Sequence, residues 1–201
     1  MKRTVASCMI LLLSLLLSTC SMTKDEQPDY IEEMVEAAVN ADFEKGHEAE
    51  TLYRQHITAL GSEDTVINFN DLFLLAKFIQ LHSGTYKNNE TFMLCVGEVA
   101  LNRLSSREFP NTLEEVVFQP GEFEGVESDD FKSNAFPSRN CVELALRLLQ
   151  GERLLAPHVV RWSTEATDRV YATFCDRQQN FVYFCESEYP RFYHLPNKKP
   201  A

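Results

Sequence analysis

No stretch of the chain supplies the roughly 20 consecutive apolar residues that a membrane-crossing helix needs. The apolar run from Met9 to Leu17, broken only by Ser14, is too short to be a span. Zinc-type spacing is also missing. The six cysteines, Cys8, Cys20, Cys95, Cys141, Cys175 and Cys185, form no CxxC or Cys/His pattern, which argues against a metal site. Positive charge is scarce: 19 lysines and arginines face 30 acidic residues, a net charge of −11. Such a surface repels nucleic-acid phosphates and anionic headgroups, so a polyanion-binding role is excluded. There is no internal repeat.

What is present begins with an address. Lys2 and Arg3 precede the short apolar core, the pattern of an export signal over residues 1–19. Leu17-Ser18-Thr19-Cys20 resembles a lipobox, which makes Cys20 the expected lipidation site. Thr19 departs from the small residue usual before that cysteine, so an ordinary cleaved signal and an uncleaved anchor stay open. Removing the leader takes away Lys2 and Arg3 but no acid, moving the charge from −11 to −13. A polar tether follows over residues 20–29, then an acidic helical extension over 30–65 with Ile31, Met34, Val35, Ala38 and Val39 at helical spacing. The main domain is expected over 66–195, with a tail at 196–201. A hydrophobic fraction of 44% is enough to fill one sizeable core.

Inside that domain, Asp71 to Leu81 is apolar nearly all round, as a buried helix is, with Asn70 or Asp71 as its cap and Gly84 as its end. A second helix is expected from Asn89 to Leu104, and Thr112 with Glu115 forms a capping box for a third, Leu113 to Phe118. Ser138 caps a fourth, which Gly151 terminates. Val159 to Trp162, Val170 to Phe174 and Phe181 to Phe184 are β-branched and aromatic, as in a small antiparallel sheet. The fold class is α+β, mainly helical. Cys95 and Cys141 fall in apolar helical patterns as buried thiols, while Cys175 and Cys185 flank a polar turn, either free or bridged across a hairpin.

Three words in order carry a family resemblance: Asp71-Leu72-Phe73-Leu74-Leu75-Ala76, Val96-Gly97-Glu98-Val99-Ala100-Leu101-Asn102-Arg103, and the stretch from Phe109-Pro110-Asn111-Thr112 to Pro120-Gly121-Glu122-Phe123. The helix closing at Gly151 and the hairpin of Val159 to Phe184 follow in place, so the region from Asp71 to Cys185 resembles the SleB-like cell-wall hydrolases. The resemblance implies a lysozyme-like helical core that cleaves peptidoglycan glycan strands as a lytic transglycosylase, without metal or cofactor. One carboxyl then serves as acid and base.

The chain departs from that pattern at the acid itself. The matching word is Gln80-Leu81-His82-Ser83-Gly84, so His82 stands where relatives carry the catalytic glutamate. Glu98 is the other catalytic candidate, four residues before Asn102 and on the same helix face. Structural readings stand beside both: His82 favoured by the helix dipole, Glu98 bonded to Asn102 or Arg103. Gln119, Glu122 and Phe123 are expected to border a glycan cleft, Trp162 and Tyr171 to offer stacking faces, and Asn102 to bind substrate or, with Arg103, to anchor structure. Two functions follow: a glycan-cleaving enzyme with altered chemistry, or a degenerate member that binds peptidoglycan or a partner as an envelope lipoprotein.

Overall fold

The computed structural model describes residues 29–61, 65–134, 136–165, 167 and 169–186. The export segment with Cys20, most of the tether, and the tail lie outside them. Two helices open the described chain, α1 (Tyr30–Asn40) and α2 (Phe43–Leu60), each capped by an aspartate side chain, Asp29 and Asp42. Ala41 and Gly61, both in the left-handed region, end them. Met34, Val35, Ala37 and Ala38 of α1 join the same core as the later helices. Gly46 of α2 is required by close packing: a Cβ there would fall 2.3 Å from the ring of Phe69.

Helix α3 (Phe69–Ser83) is the centre of the molecule, packing against α1, α2, α4 (Glu90–Ser105), α5 (Leu113–Val117) and α6 (Arg139–Leu149). Its cap is Asn68, whose side chain accepts from Asp71 N at 3.0 Å, so the helix starts earlier than the expected Asn70 or Asp71. Asn68 itself is extended, φ −87 and ψ 128, as an N-cap is, and it follows the buried Ile67. Gly84 closes α3 at φ 47. The Val96-Gly97-Glu98 word explains itself in the packing, since a Cβ on Gly97 would meet Leu148 at 2.6 Å and Ile79 at 2.8 Å. The glycine lets α4 approach both neighbours.

The expected sheet is present: β1 (Val159–Ser163), β2 (Val170–Cys175) and β3 (Phe181–Glu186), antiparallel in the order β1-β3-β2. Its register decides the cysteine question. Cys175 stands opposite Phe181 at the turn, whereas Cys185 stands opposite Val170 at the far end, so the two cannot bridge and both are free thiols. Cys95 and Cys141 are buried free thiols. The hairpin is tied to the end of α3 through the short 3-10 turn Gly84–Tyr86: Tyr86 donates its hydroxyl to Asn180 O at 2.7 Å, and Thr85 donates to Asp176 at 3.2 Å. Among the described residues, no helix is long and apolar enough to cross a membrane.

Candidate active site

His82 lies in the last turn of α3, where Gly84 halts the helix beside the sheet and the turn that follows α5. Its ring packs on Phe78 at 4.6 Å, Trp162 at 5.2 Å and Phe123 at 5.8 Å between centroids. Nε2 is buried and has no hydrogen-bond partner among the described residues. Withdrawal from water disfavours the imidazolium and drives the His82 pKa down to about 4. At neutral pH the residue is a neutral ring within an aromatic cluster.

That burial has a stability consequence whose sign is fixed by linkage. Above pH 6.5 neither the folded nor the unfolded chain protonates His82, but below it the unfolded chain takes up the proton first. Stability is therefore lost as pH falls from about 6.5 to about 4, by about 3 kcal/mol from this residue. Comparing thermal melts of the natural protein and His82→Gln at pH 7 and pH 4.5 isolates this contribution. The variant is expected to lose less; identical losses would show that His82 is solvated.

A cavity of about 370 Å³ opens beside His82, lined by Arg103, Glu122, Phe123, Glu124, Arg161 and Trp162. Trp162 and Phe123 stack within it at 5.4 Å and 27°. Arg103, only 4% exposed, is fixed from three sides: Nε donates to Val160 O at 2.6 Å, Nη1 donates to Glu122 at 2.9 Å, and the guanidinium lies 4.3 Å from the Phe123 ring centroid. Glu122, Phe123 and Trp162 thus meet His82 in one place. Arg161 and Glu124 join them without having been singled out from sequence. Arg161 and Trp162 are consecutive in β1, paired in regular register with Cys185 and Phe184, and both line the cavity.

Glu98 does not share this cavity. It is 0% exposed, and its Oε2 accepts from Leu154 N at 2.7 Å and Leu155 N at 3.0 Å. Desolvation raises its pKa, the two backbone donors oppose that rise, and Oε1 has no partner among the described residues. The partners expected for it, Asn102 and Arg103, are engaged elsewhere. Asn102 donates to Ala156 O at 3.0 Å and Val159 O at 2.9 Å, so it too faces backbone and not the cavity. Glu98, Asn102 and Arg103 therefore form a polar seam along α4 that stitches down the connection running from α6 into β1. Gln119 lines a different groove, with Pro110, Glu114, Glu115, Phe118, Pro120, Glu127 and Lys132. Tyr171 is exposed on β2, its ring 6.3 Å from that of His158, and does not line the His82 cavity.

A family model described as Cell Wall Hydrolase matches residues 87–199, more than half of the chain. The chain belongs to the cell wall hydrolase family. No curated protein and no solved structure matches it. The segment matched to the cell wall hydrolases contains the polar seam of α4, the stacked Phe123 and Trp162, and both arginines of the cavity. It begins after α3, so His82 is supplied to the site from outside it. Among the described residues, no group of three or more His, Cys, Asp or Glu side chains is placed to hold a metal ion.

Proposed function

We propose that the His82 cavity binds the glycan strands of peptidoglycan. The observation that supports this most directly is the stacked Trp162–Phe123 pair beside Arg103, Glu122 and Arg161: a sugar offers an apolar CH face to aromatic rings and hydroxyls to charged groups at the rim. Cleavage of lytic transglycosylase type asks more of the site. A protonated carboxyl must give its proton to the glycosidic oxygen and then, as carboxylate, take one from the sugar's 6-hydroxyl. At position 82 a pKa of about 4 leaves about one imidazole in a thousand protonated at pH 7, and that form is a cation beside a developing oxocarbenium charge. The SleB-like resemblance and the neutral ring together point to a family member in which strand binding outweighs strand cleavage.

A second reading is that Glu122 or Glu124 supplies the missing acid, because both line the same cavity. One experiment addresses both. The full chain is mixed with insoluble peptidoglycan, the bound fraction is measured, and the released material is analysed by mass for anhydro-muropeptides. Binding with little release is expected, and Trp162→Ala should weaken binding about tenfold through lost stacking and contact area. A protein that stays in the supernatant would sink the binding reading. Brisk release that Glu122→Gln or Glu124→Gln abolishes would establish the second. Export with a lipid anchor at Cys20 completes the proposal; lipid-precursor labelling that persists in Cys20→Ala would exclude the anchor.

A further inference from the structure

The groove that contains Gln119 is the larger of the two described, about 680 Å³, and the glycan reading leaves it without a task. Its floor is apolar, from Pro110, Phe118 and Pro120, and its rim carries Glu114, Glu115 and Glu127. The Gln119 amide oxygen is buried there as an acceptor with no donor among the described residues. The chain itself shows what this lining accepts. Lys132, an aliphatic stem ending in an ammonium, lies in the groove with Nζ 2.6 Å from Glu127 and 6.0 Å from the Phe118 ring centroid. Three carboxylates against that one ammonium leave the groove an excess of negative charge.

Its position matters as much as its chemistry. Glu122 N donates to Gln119 O at 3.2 Å, so residues 119–122 form a tight turn with one groove on the Gln119 side and the His82 cavity on the Glu122 side. The ends of such a turn are less than about 7 Å apart, a distance that two or three extended residues cover. We propose that this groove binds the stem peptide of peptidoglycan through the free amine on one of its aliphatic side chains. The inference rests on the glycan reading of the His82 cavity: the peptide hangs from the sugar's lactyl group, so a strand seated beside His82 delivers its stem across the turn. Phe118 and the two prolines receive the methylene stem, the rim carboxylates receive the ammonium, and Gln119 Oε1 accepts from an amine or a peptide N–H.

The test compares the full chain's affinity for soluble glycan strands bearing stem peptides, the same strands with the stems removed by an amidase, and intact strands with their free amines acetylated. Intact strands should bind about tenfold more tightly than stripped ones, and acetylation should erase the gain. The double variant Glu114→Gln/Glu127→Gln should lose the same gain while keeping its affinity for stripped strands, which also shows that it is folded. Equal affinity for intact and stripped strands overturns the proposal, as does a gain that survives both acetylation and the double variant. Free stem peptide separates the two readings: a protein that binds it and intact strands, but not stripped strands, keeps the groove and loses the glycan site. A protein that binds none of these loses both.

Discussion

Replacing His82 with glutamate is expected to raise the release of anhydro-muropeptides from peptidoglycan at least about tenfold over the natural protein. The surroundings that hold the imidazole neutral act in the opposite direction on a carboxyl. Phe78, Phe123 and Trp162 withdraw this place from water, which raises the pKa of a glutamate here as the acid of a transglycosylase requires, while Arg103 and Arg161 of the same cavity oppose the rise. The same residue as carboxylate supplies the negative charge that histidine cannot. Geometry remains the demanding part, because the acid has to come within hydrogen-bond reach of the glycosidic oxygen. Release by His82→Glu without release by the natural protein identifies a silenced site with its cleft preserved. Persistent binding with no release from either identifies a recognition surface. Strong release by the natural protein that His82→Glu abolishes would mean that the histidine itself moves the proton.

The second large effect concerns stability. Glu98→Ala removes a fully buried side chain and leaves the amides of Leu154 and Leu155 without their acceptor, so a loss of about 3 to 5 kcal/mol is expected, or roughly 10 °C in Tm. Glu98→Gln discriminates a structural from a catalytic role. Its carbonyl oxygen can still accept from both amides, so the melt should move by only about 1 kcal/mol. A Glu98→Gln protein that is stable and binds peptidoglycan normally, but loses a measurable cleaving activity, would restore Glu98 to the chemistry.

Much of the fold was legible because its signals are local. Thr112 accepts from Glu115 N at 3.2 Å and Ser138 from Cys141 N at 3.4 Å, both at the caps that their spacing implies. The apolar run of α3 buries as expected, and the three strands fall on the three aromatic and β-branched segments. The site was legible in part. Helical spacing puts Glu98 and Asn102 on one face, but it carries no information about what approaches that face. The partners turn out to be backbone groups 54 to 57 residues further on. Arg161 was missed because strict alternation along a strand sends it away from Trp162, whereas both residues line the cavity. Whether Cys175 and Cys185 bridge stayed open in the sequence for want of register, since a polar turn between them fixes a hairpin without saying how far from its tip each cysteine stands.

The placement of α1 sets how this protein can come apart. Arg139 of α6 bridges to Glu32 and Glu36 of α1, and Met34 and Ala38 sit at 0% exposure beneath that contact. At the opposite end, the β2–β3 turn is moored to the residues just after His82. The earliest described helix packs on α3, the hairpin is tied to the turn that ends α3 and packs Phe174 and Phe184 on Phe92 of α4, and neither can detach without wetting its apolar surface. A fragment trimmed to residues 87–199 would lack α3 and leave the apolar faces of α4 and α6 without a partner. Denaturation should accordingly be a single cooperative event, with the helix that carries His82 the last to surrender its amide protons to solvent.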